Sequence, residues 1–248
     1  MTERRQSPLT QVDLNPQGCH SDVRIDSLAS APMFAGLSVD ELHDINARVR
    51  TRHLDAGEAV YHQGDIADRM FVLAAGAVKS VRLTADGGTT LLEVAGPGDY
   101  IGAVPALGSE TYGDSVWTVS PTCLLGLDPA EYESVMETYP TVAMATLKVV
   151  SGQLSQARQS VHMLAGAPLG ERLAGVVLHL ADKAGRPWKN GVLIDMPLGR
   201  DDLAAMVGAA SESVSRLLSA WRRDGIIDSG RKWIAVLDRP GLEALGSA

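Results

Sequence analysis

The sequence has only two cysteines, and it has no apolar run near the roughly 20 residues that a helix needs to cross a bilayer. The pair, Cys19 and Cys123, gives no disulfide framework, and such sparse use of cysteine is typical of the reducing cytosol. The N-terminus carries Arg4 and Arg5 without an apolar segment behind them, so it does not resemble a secretory signal. We therefore expect a cytoplasmic chain that makes no contact with a membrane.

The common catalytic motifs are also missing. The sequence contains no Walker phosphate loop, no Gly-x-Ser-x-Gly elbow and no Cys/His dyad. His53 and His62 would suit a cupin-type metalloenzyme, but no His-x-His motif and no convincing third ligand accompany them. We expect no enzyme activity.

Charge is distributed unevenly along the chain, whose formal net charge is -8. Residues 1–164 contain 11 Lys and Arg against 20 Asp and Glu, whereas residues 165–248 contain 11 against 10. This contrast indicates two modules. Only the second could approach phosphate groups without strong repulsion.

Residues 51–127 show the two-residue period of β-strands. Val81 and Leu83, for example, alternate with polar neighbours, as expected when one face of a strand is buried. Glycines punctuate the stretch, and Asp86-Gly87 is a strong hairpin signal. Short strands separated by frequent turns predict an antiparallel β-roll or sandwich.

From Pro140 the pattern changes to that of one long helix. Apolar residues recur at alternating steps of three and four, which is the a/d seam of a coiled coil. The predicted dimer interface consists of Leu147, Val150, Leu154, Ala157, Val161 and Leu164. An ordinary amphipathic helix packed on its own domain is the alternative, but the narrow stripe favours a second copy of the chain.

Residues 200–217 have the pattern of a helix-turn-helix. The motif needs a small residue in its first helix, a glycine at the turn and a branched apolar residue in the second helix, and Ala204, Gly208 and Val214 meet these needs. Beyond the second helix, two apolar stretches around a turn at Ser229-Gly230 predict a β-hairpin wing.

Two groups of polar residues in this region suit contact with DNA. Glu212, Ser215 and Arg216 share one face of the second helix, where Arg can bond guanine and Glu can accept from cytosine. Arg231 and Lys232 stand at the predicted wing tip, where they would meet phosphate. The alternative is a solvated helix face with an intrahelical Glu212–Arg216 ion pair, which would contribute little.

The chain resembles the CRP/FNR family of bacterial transcription regulators from about residue 26 to residue 245. The motifs that carry the resemblance are Gly57-Glu58, Gln63-Gly64-Asp65, Gly98-Asp99-Tyr100-Ile101-Gly102, Arg200-Asp201-Asp202-Leu203-Ala204 and Ser211-Glu212-Ser213-Val214-Ser215-Arg216-Leu217-Leu218. The Glu-x-x-Ser-Arg form of the last motif is similar to that of the FNR-like branch.

The resemblance implies an α+β fold in four segments. A flexible leader (1–25) precedes an antiparallel β-roll sensor (26–138) of the jelly-roll, cyclic-nucleotide-binding-like type. A dimerisation helix (139–165) then leads to a C-terminal winged helix-turn-helix (166–248). The competing interpretation is a nucleotide-binding-like signalling module that acts through protein partners.

In the family such a protein is a homodimer that binds double-stranded DNA, and the FNR-like form implies a palindrome close to TTGAT-N4-ATCAA. An activator would also contact RNA polymerase. The resemblance adds Arg200 and Ser211 to the DNA contacts. Because Ala210 occupies the usual N-cap position, Ser211 either caps the helix or touches a base.

The family's cyclic-nucleotide pocket uses a Gly-Glu pair for the ribose and an Arg-Ser pair for the phosphate. The matching residues here are Gly102-Ala103 and Asp114-Ser115, with Ile101 beside the first pair. A carboxylate in place of the arginine would repel the phosphate, so cyclic AMP is not expected and the small effector is unknown.

FNR-like iron–sulfur sensors need four thiolates or near equivalents for each cubane. Cys19-His20 resembles the start of the family's cysteine-rich segment and Cys123 lies near its internal cysteine, but two thiols do not suffice, even with Asp22 as a third ligand. We interpret Cys123 as a small buried apolar residue. Haem stays open as a cofactor, with Cys19, His20 or one of the other five histidines as axial ligand, although no spacing selects one.

Overall fold

The computed structural model describes residues 8, 19–83, 89–102 and 110–246, and for Thr89, Gln156 and residues 159–165 it describes the backbone alone. The helices are α1 (Ser21–Ser30), α2 (Val39–Arg48), α3 (Pro129–Thr138), α4 (Pro140–Gly166), α5 (Leu169–Ala184), α6 (Arg200–Val207), α7 (Ser211–Arg223) and α8 (Arg239–Leu245). The strands are β1 (Arg50–Leu54), β2 (Ala59–Tyr61), β3 (Met70–Ala75), β4 (Val78–Leu83), β5 (Thr89–Ala95), β6 (Tyr100–Gly102), β7 (Ser115–Thr118), β8 (Thr122–Leu127), β9 (Gly185–Trp188), β10 (Gly191–Ile194), β11 (Ile227–Gly230) and β12 (Trp233–Val236). The described residues divide into two compact units, one that ends at Ala157 and one that begins at Arg158.

Two four-stranded antiparallel sheets form the roll of the first unit, in the strand orders β1-β8-β3-β6 and β2-β7-β4-β5. All six residues of β8 are buried because both faces of this strand are covered. Leu124 faces the core between the sheets, whereas Leu125 and Leu127 face a second core shared with the helices. The predicted antiparallel roll is confirmed. The predicted Asp86-Gly87 hairpin lies outside the described residues, although β4 and β5 on either side of it do pair antiparallel.

Helices close the outer face of the first sheet. In α1, Leu28 is fully buried and the Ser27 hydroxyl donates to the carbonyl oxygen of Ala74 on β3 at 3.1 Å. This helix begins at Ser21, inside the segment that we expected to be a flexible leader. Ser38 caps α2 through a capping box with Glu41.

The four-stranded sheet of the second unit has the order β11-β12-β10-β9. Strand β9 falls in residues 185–190, where glycine and proline favour a turn-rich connector, but residues 185–188 form a strand instead. Pro187 is compatible with a strand here because β9 is the edge of the sheet, where one side needs no ladder hydrogen bonds. Trp188 then packs edge-on against Trp233, with ring centroids 5.4 Å apart.

Candidate nucleic-acid interface

Helix α6 is positioned by polar contacts at its start and by a glycine at its end. The Asp202 carboxylate accepts a hydrogen bond from the Gly199 backbone N–H at 2.8 Å. Leu203, Ala204 and Val207 are buried, so one face of this short helix packs inward. Gly208 then adopts φ 63° and ψ 50°, a left-handed conformation that costs glycine least. The predicted turn glycine of the helix-turn-helix is thus confirmed.

Helix α7 has one apolar face and one polar face. Val214, Leu218 and Trp221 are buried at steps of four and three residues. Glu212 and Arg216 are exposed on the other side, and Ser215 is half-buried. The amphipathic pattern therefore turns the three predicted base-reading residues of α7 away from the core.

The intrahelical Glu212–Arg216 ion pair that we considered is not what forms. Within the described part of the chain, Arg216 instead donates from Nη2 to the Ser213 hydroxyl at 3.2 Å. Ser213 lies three residues earlier on the helix, which puts it within reach of the guanidinium. A neutral hydroxyl holds a guanidinium more weakly than a carboxylate would, so the positive charge of Arg216 is left available to an outside acceptor.

Ser211 does not cap α7. The N-cap is Ala210, which provides no side-chain hydrogen bond, and Ser211 is the first helical residue. Its hydroxyl donates to the Asp201 carboxylate at 2.5 Å, which ties the start of α7 to the start of α6. The alternative in which Ser211 caps the helix is therefore wrong, and its hydroxyl braces the two helices in this structure.

Strands β11 and β12 form the wing, and Arg231 and Lys232 are its two-residue turn. We expected the turn at Ser229-Gly230, but both residues belong to β11. Gly230 is required in the strand because a Cβ there would lie 2.2 Å from the Trp233 indole nitrogen. Arg231 and Lys232 are both exposed, and Lys232, the second residue of the turn, has a positive φ of 61°. Arg200, the remaining predicted contact, is half-buried at the first position of α6.

The long helix α4 has two different faces in its first turns. Val142 and Thr146 are buried, and the Thr146 hydroxyl is hydrogen-bonded to the Tyr132 hydroxyl of α3 at 2.5 Å. Exposed large apolar residues follow along the helix: Met144 (58%), Leu147 (57%), Val150 (39%) and Leu154 (53%). Ala157 is also exposed, while the side chains of Val161 and Leu164 lie outside the described residues. Our seam prediction missed Met144, although it stands three residues before Leu147 and so continues the stripe.

Comparisons with known proteins match both units. A family profile described as a cyclic nucleotide-binding domain covers residues 51–139, and one described as a Crp-like helix-turn-helix domain covers residues 171–245. The cyclic AMP receptor protein of Thermus thermophilus is 25% identical, with 88% of this chain and 98% of that protein aligned. The transcriptional activator protein anr of Pseudomonas aeruginosa is 23% identical over 88% of this chain and 90% of its own length. This chain belongs to the CRP/FNR family.

The fold agrees with that assignment. The structure of FixK2 from Bradyrhizobium japonicum superimposes with a TM-score of 0.72 at 22% identity, covering 81% of this chain and 98% of that one. The chain is accordingly a DNA-binding transcription regulator with a helix-turn-helix, and its relatives are regulators rather than enzymes. Within the part of the chain that the structure describes, no helix is long and apolar enough to span a membrane.

In this CRP/FNR regulator Asp114 and Ser115, which we matched to the family's phosphate-binding pair, are hydrogen-bonded within their own chain. The Ser80 hydroxyl donates to the Asp114 carboxylate, and the Ser115 hydroxyl accepts from the Gln63 backbone N–H at 2.9 Å. A carboxylate at that position would also repel a phosphate. That cyclic AMP is not the effector stays a prediction from the sequence.

The neighbouring ribose position is equally tight. Gly102 has φ +94°, and a Cβ there would lie 2.8 Å from the carbonyl oxygen of Arg69. Ile101 is buried between the sheets, and close by in the same core Tyr61 and Tyr112 stack with ring centroids 3.8 Å apart. Burial raises the pKa of Tyr112 to about 12, so its hydroxyl stays protonated at neutral pH. The fifth predicted pocket residue, Ala103, lies outside the described residues.

The two cysteines of this regulator form a disulfide. Cys19, just before α1, is bonded to Cys123 of β8 across 104 residues of sequence. Our expectation that the pair forms no disulfide is therefore wrong, because the docking of α1 on the roll brings together residues that sequence spacing keeps far apart. Cys123 is fully buried, as we expected, but it is bonded rather than free.

Metal and haem ligands are not singled out by the structure. In the disulfide state neither sulfur is a thiolate that could bind iron. Among the described residues, no cluster of three or more His, Cys, Asp or Glu side chains has the arrangement of a metal site.

Proposed function

We propose that this regulator binds a DNA palindrome close to TTGAT-N4-ATCAA as a homodimer, with α7 in the major groove. The observation that carries the proposal is the outward polar face of α7. Glu212 and Arg216 are exposed there, and Arg216 is held only by a neutral hydroxyl. Arg216 would bond the O6 and N7 atoms of guanine, Glu212 would accept from the N4 amino group of cytosine, and Ser215 would contact an adjacent base.

Phosphate contacts would orient the domain on the duplex. Arg231 and Lys232 project from the exposed wing turn, and Arg200 stands at the N-terminus of α6, where backbone N–H groups also favour anions. Ser211 would have to release Asp201 before it could donate to DNA. We therefore assign Ser211 a bracing role first and a base contact second.

The exposed apolar stripe on α4 supports the homodimer. Leu147, Val150 and Leu154 are unusually exposed for aliphatic residues and follow one another at coiled-coil steps of three and four. Pairing with the same stripe of a second copy would remove them from water, and a two-fold axis makes such an interface complementary to itself. The dimer would set the two recognition helices about 34 Å apart, one turn of DNA.

The sensor would act on DNA binding through α4. Thr146 on the inward face of this helix is bonded to Tyr132, and Gln153 further along contacts the Tyr100 hydroxyl of β6. A conformational change in the roll would therefore alter the packing of α4, the helix that carries the predicted dimer interface. A small effector or a covalent modification of the roll would shift the equilibrium between two conformations of the dimer. The protein would work in the cytoplasm, and an activator form would contact RNA polymerase.

A binding titration on labelled duplexes tests the proposal. We expect specific binding to the palindrome, with an affinity that falls steeply as salt rises because phosphate contacts release counterions. The matched control is a duplex with both half-sites scrambled. Equal affinity for the two duplexes would contradict base readout, and the absence of any binding to duplex DNA would favour the alternative in which the domain acts through protein partners.

A further inference from the structure

The disulfide joins the segment just before α1 to strand β8 of the sensor roll, and of its two residues Cys19 is the more exposed. The Cα atoms of Cys19 and Cys123 are 6.4 Å apart. Cys123 has no exposed surface on β8, whereas Cys19 is partly exposed at the edge of the same core. A reagent in solution would therefore meet the sulfur of Cys19 first.

The redox conditions of the compartment in which a DNA-binding protein works determine whether this disulfide is stable or reversible. Thiol-reducing systems operate in the compartment that holds DNA, and disulfides found there usually serve redox sensing or catalysis. We propose that Cys19 and Cys123 form a reversible redox switch whose oxidised state is the form with high DNA affinity. The proposal rests on the proposed function, because its readout is binding to the palindrome.

A continuous packed core connects the disulfide to the dimer helix. Cys123 belongs to one buried cluster together with Leu28 of α1, Tyr132 of α3 and Val142 of α4. Val142 lies on the inward face of α4, and the exposed stripe follows on the outward face. Two unbonded sulfur atoms need more room than a bonded pair, and a close-packed core supplies none without movement. Reduction would therefore loosen the support beneath α4.

Helix α1, which begins just after Cys19, also carries a cation, Arg24. The Nη1 atom of Arg24 donates to the Thr51 hydroxyl at 3.3 Å, on the strand whose His53 is the register partner of Cys123. The Nε atom of Arg24 is buried without a hydrogen-bond partner among the described residues.

The oxidation needs a hydroperoxide as its co-reactant. The Cys19 thiolate attacks one peroxide oxygen, an S–O bond forms as the O–O bond breaks, and the leaving oxygen takes a proton to become water or an alcohol. The Cys123 sulfur then attacks Cys19, the S–S bond forms, and hydroxide leaves with the thiol proton as a second water. Two thiols lose two electrons and the peroxide gains them. A dithiol reverses the change by attacking Cys19, with Cys123 as the leaving thiolate.

The test uses the full-length protein oxidised by hydrogen peroxide or reduced by dithiothreitol. Labelling under denaturing conditions should count no free thiol after oxidation and two after reduction, since the chain has two cysteines. The oxidised form should unfold about 10 °C higher, because the bond closes a long loop. It should also bind the palindrome about fivefold more tightly or better. Equal affinity in two forms with different thiol counts would overturn the switch.

Variants separate the switch from the DNA-binding function. Cys19→Ser should bind the palindrome with the weaker affinity whichever reagent is used, while the exposed neighbour control Ser21→Ala should respond like the wild type. DNA should also protect the wild-type disulfide from dithiothreitol by the same factor as the affinity change, because coupling is reciprocal. Loss of palindrome binding in both redox states would mean that the proposed function has failed, whereas undiminished binding in both would remove the switch alone.

Discussion

The sensor roll and the helix-turn-helix use their polar side chains in opposite ways. In the roll, the polar groups at the family's ligand position are bonded to their own chain, as Asp114 is to Ser80 and Ser115 is to Gln63. On α7 the charged residues Glu212 and Arg216 are exposed. The difference indicates that the charged face of α7 is accessible as it stands, whereas Asp114 and Ser115 would have to give up these hydrogen bonds before they could contact a ligand.

The largest expected effect comes from removing the surface that pairs two copies. Leu154→Asp puts a charge in the exposed stripe of α4, where dimerisation would have to bury it. The variant should be monomeric by analytical ultracentrifugation, and its affinity for the palindrome should fall toward the non-specific level, by about 1,000-fold or more. Lys148→Asp makes the matched change at an exposed position off the seam and should remain dimeric. If the Leu154→Asp variant is still a dimer and binds the palindrome normally, α4 is not the dimer interface.

Base readout should depend on Arg216. Arg216→Ala should weaken binding to the palindrome by about 1–3 kcal/mol, roughly 5- to 150-fold, because a bidentate contact to guanine is lost. Discrimination at that guanine should flatten as well. Arg82→Ala removes an exposed arginine from the roll and should leave both quantities unchanged. If Arg216→Ala keeps its preference for the guanine, another residue reads that base.

Contacts between the wing and DNA should contribute less to affinity than the contact of Arg216, and they should not depend on the DNA sequence. Lys232→Ala is expected to reduce the slope of log K against log salt by about 1 and to lower affinity equally for palindromic and scrambled duplexes. The salt series for both duplexes measures this directly. An effect confined to the palindrome would show that Lys232 takes part in base recognition.

The smallest expected effect is on the pH dependence of folding stability, and it tests whether the Tyr100 hydroxyl of the roll is buried. Burial, with a smaller contribution from Glu93, raises the pKa of Tyr100 to about 12. An unfolded tyrosine ionises near pH 10, so the contribution of the protonated phenol to stability is complete below about pH 10 and is lost as pH rises toward 12. Melting temperatures should therefore fall across this window. Tyr100→Phe should have a shallower fall, and an unchanged slope would show that Tyr100 is not responsible.

The regular elements of the fold were predictable because their signals are local. The two-residue period of the strands, the helical period after Pro140 and the glycine at position 208 each depend on neighbours within a few residues. The strands, the long helix and the turn appear as expected, whereas the dimer seam on that helix stays a prediction. The wing turn was misplaced by two residues because Gly230 looked like a turn glycine. Its true reason is the Trp233 ring packed against it, a contact that cannot be read from composition.

What the sequence by itself determined is the order of the modules and the polar face of α7, since helix periodicity and turn chemistry act over short distances. Only the tertiary structure decided the partners of particular side chains. It bonded Cys19 to Cys123, gave Arg216 a hydroxyl rather than a carboxylate, and tied Ser211 to Asp201. Such pairings depend on how separate elements dock and on which rotamers then come within reach, and that information resides in the packed chain as a whole.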